Sequence, residues 1–277
     1  RAGPSTGMPT KPEQSDLDIA VFGRHGESPL PVLAPATPAD CFWIVIEAAR
    51  VAIAAMTPVI VLSDAYLANA VREWTPPKVD TLPDIPTRAA VSGHNSGPSA
   101  AFARDGETLA RRWIVPGTPG LAHRVGGLER HSATGNISYD PTNHERMIEL
   151  RAEKIARIAA RQSMPLIREG AEEGDLLVIG WGSTFGPIRQ AVRNLNAAGH
   201  TVGHLHLRYL WPLPQGLADI MSRYRKVVCA EMNTGQLSAI LRATFLLPVV
   251  AITQINGRPF PVSKLQAEFT ARLEGQA

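Results

Sequence analysis

The stretch Arg1-Ala-Gly-Pro-Ser-Thr-Gly-Met-Pro-Thr10, continuing through Lys11-Pro-Glu-Gln-Ser-Asp16, gathers residue types that suit anion binding. Arg1 and Lys11 bring charge, and Ser5, Thr6 and Thr10 bring hydroxyl donors. Gly3 and Gly7 let the chain turn tightly. Cations beside hydroxyls and free backbone N–H groups fit a carboxylate. Thr10-Lys-Pro-Glu13 matches the capping-box signature of a helix entry, and Pro12 is tolerated because the first turn's N–H groups lack intrahelical partners. A helix is therefore expected to start near Thr10 with donors to spare. The same residues also describe an ordinary Gly/Pro turn feeding a capped helix, and their chemistry alone leaves both readings open. A second charged loop, Arg24-His25-Gly-Glu27, offers a guanidinium able to pair with a carboxylate and an imidazole able to donate or shuttle a proton. A solvated loop explains it equally well.

Other chemistries are weaker. Gly180-Trp-Gly-Ser-Thr-Phe-Gly186 follows an expected strand and opens an expected helix. Its glycine spacing is one residue too long for a dinucleotide loop, and no acidic ribose ligand follows about twenty residues later, so NAD is not expected. His200, His204 and His206 lack a nearby carboxylate or cysteine to complete a metal set, and are read as hydrogen-bonded sheet histidines with no metal. Asn233, after Glu231-Met232, lies beyond a strand end, where capping of the next helix is sufficient explanation. No Gly-x-Ser-x-Gly elbow, P-loop or zinc spacing is present, and no residue is assigned to covalent or proton chemistry.

The elements that must position these residues read as an α/β chain. After the apolar run Ile19–Phe22, Thr37-Pro-Ala-Asp40 is a second capping box with Pro38 at the first helical position. The helix it starts, Cys41 to about Met56, is apolar around most of its girth and is expected to be buried on more than one side. Val59–Leu62 reads as a strand buried on both faces. From Trp74 to about Asn143 periodicity dissolves among prolines and glycines, as in a connection wrapped over a surface. Asn143 is expected to cap an amphipathic helix from His144 to about Gln162. From 175 on, strands at Leu176–Ile179, Thr201–Leu207, Lys226–Ala230 and Val249–Thr253 alternate with helices at Pro187–Ala198, Gln215–Arg223, Gln236–Phe245 and Val262–Leu273. That alternation implies a mostly parallel sheet covered on both faces. Three units are expected: 1–73, 74–174 and 175–277.

At 277 residues, 44% hydrophobic and 19% charged, the chain can bury a full core. A net charge of +3, with basic residues scattered, does not call for nucleic acid. The longest apolar run, Ile44–Leu62, is broken by Glu47, Arg50 and Pro58, so no membrane span is expected. Two distant cysteines, Cys41 and Cys229, read as reduced thiols of a cytoplasmic protein and cannot ligate an iron–sulfur cluster by themselves.

Arg-x-Gly-Pro-Ser-Thr-Gly-x-Pro-Thr-Lys-x-Glu-Gln-Ser-Asp-Leu resembles a signature of the alpha subunit of 2-oxoacid:ferredoxin oxidoreductases, closest to the 2-oxoglutarate branch. Phe22-Gly-Arg-His-Gly-Glu-Ser-Pro29, Ala36–Phe42, Thr57–Asp64 and Glu231-Met-Asn-Thr-Gly-Gln-Leu237 extend the resemblance over nearly the whole chain. It implies the end of a pyrimidine-type domain of a thiamin enzyme followed by a transketolase C-terminal-like domain. It further implies coenzyme A-dependent oxidative decarboxylation of 2-oxoglutarate to succinyl-CoA and carbon dioxide, with reduction of ferredoxin. Thiamine diphosphate, Mg2+ and a [4Fe-4S] cluster would be held mainly by a beta subunit, because the thiamin motif Gly-Asp-Gly followed by Asn is missing here. By match to the motif, Arg1 would pair with the substrate 1-carboxylate and Thr10 would hydrogen-bond near it, with Ser5, Thr6 and Lys11 as neighbours. Arg24 and His25 are second-tier candidates for a distal carboxylate. In the resembled family a longer stretch precedes the motif, so this chain is expected to be the C-terminal part of a longer polypeptide. The alternatives are the same chemistry on pyruvate or another 2-oxoacid, a non-catalytic assembly subunit, or a dehydrogenase E1 beta-type subunit serving lipoyl arms.

Overall fold

A computed structural model describes residues 2–5, 7–85 and 98–275. Its larger sheet grows from the β-branched runs of the second half. Five strands, β3 (Ile167–Gly170), β4 (Gly174–Trp181), β5 (Val202–Leu207), β7 (Tyr224–Glu231) and β8 (Val249–Thr253), line up as β3-β5-β4-β7-β8. The last four are parallel and β3 is an antiparallel edge. Because side chains alternate across a strand, this sheet has two apolar faces. Leu176, Val178, Val202, Val228 and Ile252 meet α5 (Phe185–Ala197) and α8 (Val262–Leu273) through Ile188, Val192, Leu265 and Phe269. Leu177, Ile179, Leu205, Leu207 and Cys229 face α6 (Leu217–Ser222) and α7 (Gln236–Phe245).

The second face also receives the start of the chain. Leu17, Ala20 and Val21 of α1 (Leu17–Phe22) and Val32 of β1 (Val32–Leu33) join that core. A smaller sheet repeats the connection. β1 pairs parallel with β2 (Ile60–Val61) and antiparallel with β6 (Tyr209–Trp211). The two ends of the chain therefore share one hydrophobic core and one backbone ladder.

Several expectations need correcting. No helix starts at Thr10. Residues before a proline are pushed out of the α region, Thr10 itself sits at φ 59°, and α1 begins only at Leu17. β2 is half-buried rather than buried on both faces, because it is an edge strand paired on one side. On α2 (Asp40–Ala55) the stripe Ile44, Ala48, Val51 and Ala55 is buried while Val45 is 59% exposed, so the apolar girth is covered on one side. The cap of α4 (Pro141–Ala156) is Asp140, whose Oδ1 accepts from Thr142 N. Asn143 points inward, accepting from Ser132 N and donating to the Arg130 carbonyl.

Other readings hold in whole or in part. Half of the cap expected at α2 is present: the Thr37 hydroxyl accepts from Asp40 N, but Asp40 Oδ2 accepts from Ala36 N instead of Thr37 N, and the helix starts at Asp40 after Ala39, past Pro38. The segment from 74 to 140 has short 3-10 turns at Val79–Thr81 and Pro98–Phe102 and isolated bridges at Arg104–Arg111 and Arg130–Ile137. Trp113 Nε1 pins it by donating to the Ile53 carbonyl at 2.8 Å. α3 (Ala65–Asn69), capped by Asp64, was not legible in the sequence.

Candidate functional site

The opening residues form a closed loop. Ala2 and Met8 bridge, Ala2 N donates to the Lys11 carbonyl at 2.9 Å, and Gly7 N donates to the Pro4 carbonyl at 2.9 Å. Gly7 must be glycine: its φ is +48° and a Cβ would collide with the Ala2 carbonyl. Ser5 and Thr10 occupy the same left-handed region at φ 55° and 59° without being glycine. That conformation costs about 1 kcal/mol per residue and persists where surrounding structure enforces it. Glu13 supplies part of the enforcement, because its carboxylate accepts from Gly3 N at 2.7 Å instead of capping a helix.

The remainder comes from the larger sheet, through Gln14. This side chain is 3% exposed; its Nε2 donates to the Trp181 carbonyl at 2.7 Å and its Oε1 accepts from Met232 N at 2.8 Å. Its backbone N donates to the Met232 carbonyl, and its carbonyl accepts from Asn233 Nδ2 at 2.9 Å. The loop is thus bolted to the carboxyl ends of β4 and β7, the edge where open α/β sheets present ligands. Gly182, at φ +57°, leaves room for this contact, since a Cβ would lie 2.6 Å from Gln14 Nε2.

A buried polar layer keeps that edge rigid. Asn233 Oδ1 accepts from Gly235 N and Gln236 N, the capping role expected of it. Glu231 is fully buried and accepts from Leu237 N, Ser238 N and the Ser238 hydroxyl, so its charge is met by the first turn of α7. Asp64 caps α3 with one oxygen and accepts from Ser183 with the other. A cavity of about 30 Å3 between Gln14, Asp64 and Gly182 has room for water, not substrate. Gln14, Glu13, Asp64 and Ser183 were missed as anchors. Replacing Gln14 with Ala strips partners from Met232 N and the Trp181 carbonyl and is expected to cost about 2 to 3 kcal/mol. Urea unfolding of the variant measures that loss.

The candidate binding residues separate on this frame. Arg1 and Thr6 lie outside the described residues. Ser5, Thr10 and Lys11 are exposed on the bolted loop, with the Thr10 hydroxyl donating to the Pro9 carbonyl at 2.7 Å. Arg24 donates from Nε, Nη1 and Nη2 to the carbonyls of Ser28, Ala20 and Val21. It closes the C-terminal turn of α1, whose last carbonyls lack intrahelical donors, and so serves the backbone. His25 is exposed on the following loop.

The histidines depart from expectation. His204 and His206 are 2% and 1% exposed, and among the described residues both His204 nitrogens and His206 Nδ1 have no hydrogen-bond partner. They pack against Phe185 at 5.6 and 5.0 Å between centroids, His204 tilted and His206 T-shaped to its ring. His206 keeps one partner, the Gly182 carbonyl 3.1 Å from its Nε2, whereas His204 has none because α5 lays an aromatic ring over it. Burial, with Arg189 in range, pulls His204 down to about 3, and burial drives His206 well below the ordinary imidazole value. Both are therefore neutral in the fold. Their stabilising contribution is complete above the unfolded value near 6.5 and is lost as pH falls below it, by about 1.4 kcal/mol per pH unit per histidine. A His204→Phe variant is expected to flatten the acid limb of stability against pH between 6 and 4.5, roughly halving its slope. Urea midpoints across that range check it.

Among the described residues there is no grouping of three or more His, Cys, Asp or Glu able to hold a metal ion, and no helix long and apolar enough to cross a membrane.

Against known proteins, a family model described as pyruvate flavodoxin/ferredoxin oxidoreductase, thiamine diphosphate-binding, matches residues 1–139. One for pyruvate:ferredoxin oxidoreductase core domain II matches residues 174–265. The chain is 47% identical to 2-oxoglutarate oxidoreductase subunit KorA of Mycobacterium tuberculosis, over 100% of this chain and 42% of that protein. It is 35% identical to subunit alpha of 2-oxoacid:ferredoxin oxidoreductase 1 of Aeropyrum pernix, over 87% of this chain and 38% of that one. Among solved structures it is similar to 2-oxoglutarate:ferredoxin oxidoreductase from Magnetococcus marinus with 2-oxoglutarate, coenzyme A and succinyl-CoA bound. That match has a TM-score of 0.89 and 32% identity, and covers 99% of this chain and 47% of that chain. The chain thus spans less than half the length of these relatives. Thiamine diphosphate is implied by the family match; among the described residues no grouping of three or more His, Cys, Asp or Glu could hold its metal ion, and the sequence has no Gly-Asp-Gly.

Proposed function

The chain belongs to the thiamine diphosphate-binding pyruvate flavodoxin/ferredoxin oxidoreductase family, and we propose that it is the substrate-presenting part of the alpha subunit of a 2-oxoglutarate:ferredoxin oxidoreductase. The observation that carries this reading is the 47% identity to the mycobacterial 2-oxoglutarate subunit along 100% of this chain. The reaction is oxidative decarboxylation of 2-oxoglutarate with coenzyme A to succinyl-CoA and carbon dioxide, with the released electrons passed singly to ferredoxin. Thiamine diphosphate with Mg2+ supplies the carbanion-stabilising chemistry and belongs, with the iron–sulfur cluster, to a beta subunit. The enzyme works in the cytoplasm.

The role of this chain is to bind and orient. Arg1 pairs with the 1-carboxylate, Thr10 turns its hydroxyl from the Pro9 carbonyl to donate beside it, and Ser5, Thr6 and Lys11 complete a cationic, donor-rich rim. The bolted loop supports this role, because orientation contributes to rate only when the groups that orient are held fixed beforehand. Ser5, Thr10 and Lys11 face outward, and a second polypeptide closes over them. Arg24 has no part in this rim; His25 remains a second-tier partner for the distal carboxylate. Residues 175–277 form the unit that carries the anchor, and 1–73 the unit that carries the rim, joined by 74–174.

A substrate panel on the full-length complex, with coenzyme A and a viologen as electron acceptor, tests the reading. 2-Oxoglutarate is expected to give the highest kcat/KM. A preference for pyruvate, the substrate in the matched family's description, would move the substrate assignment. Absence of oxoacid-dependent reduction with every substrate would overturn the proposal.

A further inference from the structure

Away from the opening loop, the fold places two arginines over one phenylalanine and a third opposite one of them. The Arg111 guanidinium lies 4.9 Å from the Phe102 ring centre and that of Arg130 lies 6.0 Å from it. Arg104 and Arg111 face each other across an isolated antiparallel bridge, where like charges directly opposite are destabilising. Arg130 is only 8% exposed, and Arg104 Nε, Arg111 Nε and Arg130 Nη2 are buried without hydrogen-bond partners among the described residues. Lys154 of α4 completes the cluster, donating to the Met56 carbonyl at 3.2 Å. Burial, with Arg104 and Arg111 nearby, pulls its ammonium down to about 8. The same burial and the neighbouring Arg111, Arg151 and Arg146 lower Arg104 to about 10.

Packing this many cations together needs an anion. Most nearby carboxylates are committed elsewhere, and two line the cavity walls themselves, Asp105 beside Arg111 and Asp84 beside Lys154. Glu129 is shared by His144 and Arg151, Glu149 pairs with Arg146, and Asp105 Oδ1 accepts from Glu107 N and from Thr108. Residues 86–97 contain no Asp or Glu. Two cavities of about 180 and 330 Å3 adjoin the cluster, sharing Ala54 and Thr108 as a wall. Arg111 lines the first and Lys154 the second. Such volumes admit a phosphate or pyrophosphate group and exclude a folded partner.

We propose that the cleft between α2, α4 and the strap around residues 104–113 is a binding site for a phosphate-bearing anion, gripped by Arg111 and Lys154 with Arg104 and Arg130 behind them. Arginine's planar fork suits two phosphate oxygens at once, and a lysine adds a point charge. The phosphate comes either free, as inorganic phosphate or pyrophosphate, or on a nucleotide end such as that of coenzyme A. The site does not depend on the oxoacid reading.

Calorimetric titration of the full-length complex with pyrophosphate tests it, followed by competition with coenzyme A and dephospho-coenzyme A. Pyrophosphate is expected to bind, and Arg111→Ala or Lys154→Gln to weaken it by about tenfold or more. Competition by coenzyme A but not by its dephospho form would place the nucleotide 3′-phosphate in the cleft. Lack of competition by either would make the ligand free phosphate, which the proposal equally includes. No binding of pyrophosphate by the wild-type protein at millimolar concentration overturns the proposal, as does equal binding by wild type and both variants. A readout that needs no variant is Lys154 itself. Its acylation by an amine-reactive ester, mapped by mass spectrometry, should be slowed by pyrophosphate and not by chloride of equal ionic strength. Unchanged labelling overturns the proposal.

Discussion

Replacing Arg1 with alanine is expected to lower kcat/KM for the 2-oxoacid by about two to three orders of magnitude, chiefly through KM. The loss is electrostatic. A guanidinium–carboxylate pair closed off from water loses far more on truncation than an exposed pair, since the substrate charge is left buried without its partner. The effect should fall on substrate capture because Arg1 is assigned to the carboxylate that identifies the substrate, not to proton or electron transfer. Arg1→Lys should recover part of the loss and no more, because a point charge replaces a planar fork. Steady-state kinetics of the full-length complex measure both. Kinetics unchanged in Arg1→Ala would remove this residue from the substrate's surroundings.

Replacing Glu47 with alanine should cost about 3 to 5 kcal/mol of stability. Glu47 is 4% exposed on α2, and its carboxylate accepts from Arg50 Nε at 2.6 Å, from Arg50 Nη2 at 2.5 Å, from the Ser163 hydroxyl at 2.5 Å, and from the Tyr209 hydroxyl. Tyr209 belongs to β6 and itself accepts from Ser163 N and Met164 N at 3.2 Å. One carboxylate therefore ties α2, the lead-in to β3 and the small sheet together. Burial raises the Glu47 carboxyl, but hydrogen bonds from Arg50, Ser163 and Tyr209 outweigh it and hold the group below its ordinary value. Burial, and then the bond to Glu47, pushes the Tyr209 phenol up to about 12. Because the folded carboxyl is the stronger acid, its contribution is present above the unfolded value of 4.5 and is lost as pH falls beneath it. Denaturant unfolding at neutral pH checks the loss. Glu47→Gln should cost less, since an amide keeps part of the hydrogen bonding.

How much of this was legible follows from the range of the interactions. Helices Gln236–Phe245 and Val262–Leu273 and strand Val249–Thr253 coincide with expectation. They are local patterns, set by a buried stripe or by a β-branched run between turns. The family came from a long local motif in the same way. The anchor did not. Gln14 contacts Met232 and Asn233 more than two hundred positions away, and nothing local to Gln14 announces its partner. β1 and β2 each hold two residues, too short for any periodicity to develop. The capping box at Thr10 failed because a sequence signature cannot see Glu13 reaching back to Gly3, while the one at Thr37 kept its hydroxyl bond to Asp40 N, a partner three residues away, with its helix starting later at Asp40. His204 was misjudged because the ring that covers it, Phe185, belongs to a different element, while His206 holds a hydrogen bond to the Gly182 carbonyl.

Identity ties this chain to 2-oxoglutarate subunits, and the bolted opening loop gives it a rim to present. The most direct test is a structure of the full-length complex with 2-oxoglutarate bound. The account predicts the substrate 1-carboxylate within hydrogen-bonding distance of Arg1 and Thr10, with a second polypeptide closing over the loop. An oxoacid seated elsewhere, with Ser5, Thr10 and Lys11 open to bulk water in the assembled enzyme, would contradict it.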